Sequence, residues 1–599
     1  MRTTVRTQWI AITLSTVSLL LTGCGNSNPM LETNLSVLVV LPGRAAVSSG
    51  QSVQFSTSPT VALGVTWMVN SVAGGNSTVG TIDSSGHYVA PAVTGPATFQ
   101  VQAQAGSILS APVPVTVLAP GVVSTTANPQ VAQYALAIPA GASVAVEFGP
   151  DTTYGLTTWS QPAPAGGGTV SMLVAGMRAF TTYHLRAAVQ LAGGLEFDDL
   201  DHTFTTGGLP ANRLPALTIK QPPGPGTNPG IELVGLSYET GNPIEAFAMD
   251  LSGNIIWYYD FDTTGAGFPF PMKLLPNGHI KLIIANYPVG LSLDVVREVD
   301  LAGNTISEET LAGLNASLSQ AGSTIVATAF HHDFLDLPNG DTIYLVSQEE
   351  NLSDVAGYPG MNIVIGDALV ELDPTGKVVW TWSAFDHLDV NYHPFGFPDW
   401  THANAVIYSP SDGNLILSSR SLSWVMKIQY QDGAGNGDVL WKLGTQGDFT
   451  MQGADTGWFY NQHFPVLIGS ASTGQFELGV WDNGNTRPDP ASGLPCGTPG
   501  AANCYSRGVL LNLDESAKTA EVAWQDPLKI ASICCGDINV LGNGNVEMGL
   551  GDTSFSPATT GALEVTQTSP PQVVWQLYVT GQGSYRIYRV PSLYPGVQW

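Results

Sequence analysis

Charge is scarce in this chain. Only 11% of its 599 residues are Asp, Glu, Lys or Arg, and 20 Lys and Arg face 47 Asp and Glu, a net charge of −27. No surplus of cations remains to neutralise a phosphate backbone, which argues against nucleic acid as a partner. Long apolar runs are also missing. Past Gly23 no stretch offers the roughly 20 apolar residues that a membrane-spanning helix needs. Cysteines number five, none in a C-x-x-C spacing, so the signature of a zinc site is absent. Absent too are G-x-x-x-x-G-K-S/T, G-x-S-x-G and H-E-x-x-H, which removes the phosphate-binding loop, the nucleophile elbow and the zinc-protease helix. No cofactor and no metal are expected. Plentiful instead are glycine and proline, 67 and 41 residues, beside a hydrophobic share of 44%. That composition suits turn-rich, all-β structure. At roughly 100–200 residues per domain the length allows three to five domains.

The first residues carry Arg2 and Arg6, the apolar run Trp9–Leu21, and then Leu21-Thr-Gly-Cys24. The run is too short to span a bilayer and reads as a signal peptide over residues 1–23. Leu-Thr-Gly-Cys resembles the bacterial lipobox, which implies acylation of Cys24 and a membrane anchor through a lipidated tether, residues 24–34. Two or three acyl chains, at about 0.8 kcal/mol per buried methylene, hold a chain stably. Gly25 follows the cysteine, where Asp would resemble an inner-membrane retention signal, so the expected address is the periplasmic face of the outer membrane or the cell surface. Four cysteines then remain in an oxidising compartment. A loop disulfide between Cys496 and Cys504 is the leading pairing; Cys534 and Cys535 either pair elsewhere or bridge each other.

From 35 to 120 short β-branched runs alternate with turns, and Gly64-Val-Thr-Trp-Met-Val69 resembles a bacterial immunoglobulin-like repeat whose Trp67 packs between two sheets. Residues 121–207 look like a fibronectin type III sandwich, and the Pro- and Gly-rich 208–229 reads as a linker. Beyond it two signals alternate. One is a turn, as in Leu275-Pro-Asn-Gly278, Leu337-Pro-Asn-Gly340 and Leu541-Gly-Asn-Gly544; the other is D-x-x-G-x-x-x-W, as in Asp250–Trp257 and Asp373–Trp380. Six such units fit a β-propeller with long loops, since blades run about 40–50 residues. The expected fold is therefore all-β, a six-bladed β-propeller over 230–599 preceded by two small β-sandwich domains.

Ten histidines exist, and three share one place relative to the blade turns. His332 lies in His331-His-Asp-Phe-Leu-Asp-Leu-Pro-Asn-Gly340, His402 in Asp399-Trp-Thr-His-Ala-Asn404 and His463 in Asn461-Gln-His-Phe464. In a propeller that place is the innermost strand, so the three converge on one funnel. His331 points to the other face of its strand.

These segments, with Ser418-Ser-Arg420, Trp441-Lys-Leu-Gly444, Trp481-Asp-Asn-Gly484 and Tyr585-Arg586, resemble the bacterial aryl-sulfate sulfotransferases over about residues 230–599. The resemblance implies sulfuryl transfer from an aryl sulfate donor to a phenolic acceptor, ping-pong through a sulfohistidine. It assigns the nucleophile to His463, catalytic roles to His402, His332 and Arg420, and substrate contacts to Asn404, His331 and Gln462. Phe464 departs from the common Gln-His-Asp. A neutral imidazole is a competent nucleophile toward sulfur, a second histidine can protonate the leaving phenolate, and Arg420 offers a planar fork to the charged oxygens. Other readings stay open: a metal at His331-His332-Asp333 with Asp336, an inter-blade ion pair for Arg420, and core packing for His279, His387 and His393. At the level of function the alternatives are a lipid-anchored propeller that only binds a ligand or protein, and a sulfatase that uses water.

Overall fold

The computed structural model describes residues 37–599 except 62–63, 239–240, 242, 262–266, 287–292, 456, 473 and 554–558. Cys24 and the signal segment lie outside the described residues. The chain is all-β; the α-helices among the described residues are Leu311–Gln320 and Ala384–His387. It forms two compact units. In the first, Val65–Val69 pairs antiparallel with residues 101–105, and Trp67 is buried against Phe55, which in turn meets Tyr88 edge-on.

The second unit begins with a pair of sheets. One orders Val122–Thr125, Ala132–Ile138 and Gly168–Val174; the other centres on Ser143–Gly149 and Thr182–Leu191. Burial alternates strictly along Ala132–Ile138, the period of two that puts Tyr134, Leu136 and Ile138 into a core with Phe148 and Leu185. These sheets are not a detached spacer. Asn128 Nδ2 donates to the Tyr258 carbonyl at 2.8 Å and Gln130 Nε2 to that of Ile255 at 3.0 Å. The C-terminal Trp599 packs on Phe148 and donates to the Thr157 carbonyl at 2.9 Å.

Six further sheets of four or five strands follow, antiparallel except where Thr450–Gln452 joins Thr519–Pro527 in parallel. Their first strands are Gln582–Val590, Phe268–Leu274, Ala327–Asp336, Ala403–Ser409, His463–Ser472 and Asp537–Val540. Each touches the next, and Gln582–Val590 touches both Asp537–Val540 and Phe268–Leu274, so the series returns to its start. Closure comes from both ends of this region. The C-terminal strand Gln582–Val590 completes the sheet begun by Ile231–Tyr238, and Ala216–Gln221 pairs with Val573–Thr580 at the outer edge of the last sheet. The stretch 208–229, expected as a linker, thus carries a strand, because an open outer edge of the last sheet is there to be paired.

The recurrent D-x-x-G-x-x-x-W segments have local causes. Asp250 Oδ1 accepts the N–H groups of Ser252 and Asn254 at 3.0 Å, and Gly253 takes the left-handed φ of +92° that the turn requires. The tryptophans tie sheet to sheet. Trp257 and Trp380 donate their indole N–H to the carbonyls of Leu301 and Gly435 in the following sheet, and outside that pattern Trp575 does the same to Leu251.

Candidate active site

Three consecutive sheets are irregular at the same place. Opposite a single partner residue, the strand Ala327–Asp336 inserts residues between Phe330 and Phe334, and His463–Ser472 inserts Phe464 and Pro465; in Ala403–Ser409 the extra residue is Asn404. Bulges re-aim side chains, and here the backbone turns left-handed at His332 (φ +66°) and His402 (φ +44°). For a non-glycine residue that costs about 1–3 kcal/mol, a strain that the surrounding sheets hold in place.

The consequence is one cavity of about 330 Å³ lined by His332, His402, His463 and Arg420 together with Phe270, Tyr585, Cys534 and Cys535. Hydrogen bonds define the protonation of each ring. His463 Nδ1 lies 2.7 Å from the Asn483 amide oxygen. That oxygen only accepts, so Nδ1 carries the proton and Nε2 the lone pair; consistently, Nε2 accepts the Cys535 N–H at 3.2 Å. Burial, then the Arg420 charge, holds the His463 pKa well below that of an ordinary histidine. His402 Nδ1 bonds Asp399 Oδ2 at 2.5 Å, which leaves its Nε2 to face His332 Nε2 at 3.2 Å. These two nitrogens share one proton. Burial lowers both rings; in His402 the Asp399 bond opposes it, whereas in His332 the charges of neighbouring His331 and His402 add to it.

Arg420 is half-buried, stacks on Phe395 and donates through Nη2 to the Ile533 carbonyl. It makes no ion pair among the described residues, and its Nε has no partner. Phe270 and Tyr585 stack at 4.3 Å, and Tyr585 stacks on His332 at 5.2 Å, forming a flat aromatic wall.

Three residues expected to contact substrate do not line the cavity. His331 Nδ1 bonds Asp367 at 2.5 Å; burial opposes its charge, but this carboxylate wins and raises the pKa. Asp367 also takes the Thr401 hydroxyl and the Ala403 N–H, and so clamps the segment that bears His402. Asn404 Nδ2 donates to the Gln462 carbonyl, and the Asn404 carbonyl accepts from Tyr585 and Arg586. Gln462 Nε2 bonds Ser418, Ser419 and Trp424. Asn404 and Gln462 brace one sheet against the next through their amide N–H groups, while Asn404 Oδ1 and Gln462 Oε1 are buried without a partner.

The three histidines expected to pack in the core have partners of their own: His279 bonds Glu298, His387 stacks on Trp382 and His393 reaches the Ala356 carbonyl. Asp333 and Asp336 are engaged by Lys273 and Lys281 at 2.5 Å, which withdraws them from a metal site with His331 and His332. Donor atoms of His331, His332 and His402 lie within 4.8 Å of one another, as do those of Cys534, Cys535 and Asp552. Cys496 and Cys504 are disulfide-bonded. Asn483, Asp367, Asp399 and the cysteine pair are the site's missed members. Asp399 stands three residues before His402, a spacing open to local reading; Asp367 and Cys535 have no local signal.

The arylsulfotransferase (ASST) family model matches residues 225–589. No relative is found among curated proteins. Similar solved structures are distant. They include a member of the DUF4221 family from Bacteroides vulgatus, 8% identical over 63% of this chain and 100% of its own, with a TM-score of 0.28. The rhamnogalacturonan lyase PL11 of Bacillus licheniformis is 12% identical over 74% of each chain, with a TM-score of 0.27. A mutant apocarotenoid oxygenase from Synechocystis is 12% identical over 76% of this chain and 80% of its own, with a TM-score of 0.25.

Proposed function

The chain belongs to the arylsulfotransferase family, and from that premise we propose that it moves a sulfuryl group from an aryl sulfate to a phenol in two displacements through His463. The six sheets act as the blades of a six-bladed β-propeller whose inner strands carry the site. The observation that bears most weight is the Asn483 bond: it leaves His463 Nε2 unprotonated on the wall of the cavity that His402, His332 and Arg420 also line.

In the first displacement Nε2 attacks sulfur, the N–S bond forms and the S–O bond to the aryl group breaks, its electron pair leaving with the phenolate. The His332–His402 pair supplies the proton that the phenolate takes up. In the second, the same pair accepts the proton of the incoming phenol, whose oxygen displaces Nε2 from sulfur. Charge on the sulfuryl oxygens meets the Arg420 guanidinium, a preorganised donor in a site shielded from water. The low pKa of His463 keeps it a neutral nucleophile at neutral pH. The Phe270–Tyr585 wall suits a flat aryl ring. On a chain of net charge −27, Arg420, which makes no ion pair among the described residues, supplies the local positive field that an anionic ester needs. We place the protein as an exported lipoprotein held by Cys24 at the outer membrane or cell surface.

Mixing the protein with an aryl sulfate and no acceptor should release a stoichiometric burst of phenol. The peptide containing Gln462-His463-Phe464 should then carry an acid-labile sulfuryl group. An adduct on His332 or His402, or full activity in His463→Asn, would refute the reading.

A further inference from the structure

Cys534 and Cys535, which sulfuryl transfer leaves without a role, lie in the wall of the same cavity. The segment that carries them holds the fittings of the nucleophile. Cys535 N–H donates to His463 Nε2 at 3.2 Å. Asn483 donates through Nδ2 to Ser532 Oγ and to the Cys535 carbonyl, each at 3.0 Å. Arg420 Nη2 donates to the Ile533 carbonyl at 3.2 Å. Two features of the pair call for a cause. Cys535 sits at φ +66°, a conformation that persists in a non-glycine residue only where its surroundings impose it. The two sulfurs lie 2.8 Å apart, inside the roughly 3.5–4 Å at which unbonded heavy atoms settle. A covalent bond between them accounts for both.

We propose that Cys534 and Cys535 are a redox modification site: oxidised, they form a vicinal disulfide that holds Ser532–Cys535 and with it His463, Asn483 and Arg420 in place; reduced, they release that segment. The effect on turnover rests on His463 as nucleophile; the modification itself does not. Cys534 is half-buried and Cys535 buried, so Cys534 is the thiol open to attack. Its thiolate attacks an external disulfide, of a protein or a small molecule, and expels one thiolate. The Cys535 thiolate then attacks the Cys534 sulfur of the mixed disulfide and expels the second. The pair loses two protons and two electrons, and the external disulfide becomes two thiols. Adjacent Cα atoms are about 3.8 Å apart, short of the roughly 4.4–6.8 Å that disulfides usually span. Such a strained bond is a readily reversed one. With the pair closed, Cys535 N–H stays beside Nε2, where it can donate to the oxygens of a sulfuryl group bound there.

The test uses the full chain purified from an oxidising compartment. Alkylation under denaturing conditions should leave the Cys534-Cys535 peptide unmodified until a reductant is added. Reduction should lower kcat by at least about tenfold, a part of what losing one preorganised donor costs, with KM little changed, and re-oxidation by a small-molecule disulfide should restore it. The Cys534→Ser/Cys535→Ser variant should sit at the reduced level and ignore both reagents, which separates this pair from Cys496–Cys504. Reduction should also speed modification of His463 by diethylpyrocarbonate, because Nε2 loses its hydrogen bond. That readout needs no sulfuryl transfer and stands even if the proposed activity fails. Two free thiols that resist closure by an external disulfide would overturn the proposal. So would a closed pair whose reduction changes neither kcat nor the His463 rate.

Discussion

Replacing Asp399 by Asn isolates the proton donor. Asp399 Oδ2 lies 2.5 Å from His402 Nδ1. Burial pushes the His402 pKa down, and the bond and charge of Asp399 push it back. An Asn side chain has the same shape and accepts the same N–H, so the ring keeps its orientation while the charge is removed. An opposite charge at such range is worth about 1–3 pKa units, so the pKa of His402 falls further and its protonated fraction at neutral pH drops by about 10–10³-fold. General acid catalysis is typically worth about 10²–10⁴. The burst rate should therefore fall about 10²-fold for an aryl sulfate whose phenol is a poor leaving group. It should change little for a nitrophenol-like group that leaves unprotonated. The assay is the pre-steady-state burst across a series of aryl sulfates: in the variant, log rate should depend more steeply on leaving-group pKa, and the rates for poor leaving groups should recover as pH is lowered. With 43% of its side chain exposed, Asp399 contributes little to folding, and the thermal midpoint should stay near that of the wild type. An unchanged slope would refute the assignment and move the donor to His332.

Arg420→Ala should lower turnover by roughly 10²–10³-fold, the scale for one lost charge-stabilising donor, and Arg420→Lys should restore little, because a point charge lacks the guanidinium fork; steady-state rates of both variants check this. Cys24→Ser should release the protein from the membrane fraction in detergent-free buffer, and a variant that still sediments would place the anchor elsewhere. A fragment starting at residue 121 should unfold cooperatively near the midpoint of the full chain, whereas one starting at 208 should be less stable, because it strips the partners of Trp599, Tyr258 and Ile255; equal denaturation midpoints would contradict this.

Much of the fold was legible because its signals are local. Asp250 and Gly253 write a turn within five residues, and the alternation along Ala132–Ile138 writes a half-buried strand. The three histidines that line the cavity were legible for a related reason: each stands on or just before the strand that runs into a turn, eight residues before Gly340, eleven before Gly413 and eleven before Gly474, and that placement recurs in three successive sheets. The attachment of the second sandwich to the sheets that follow was not legible, because it hangs on Asn128, Gln130 and Trp599, which find their partners only after the chain has folded back.

The sequence by itself determined the all-β character, the recurrence of the sheets and the three histidines that face one cavity, since these follow from residue spacing along single strands. Tertiary structure alone decided which side chains line the cavity and which serve as braces. Asn404 and Gln462 sit near His402 and His463 in sequence yet spend their amide nitrogens between sheets, while Cys535, 72 residues from His463, donates its N–H to His463 Nε2. A buried donor takes its partner from whatever lies next to it in space, and where the last strand completes the first of the six later sheets, that neighbour is set by the return of the chain and not by distance along the sequence.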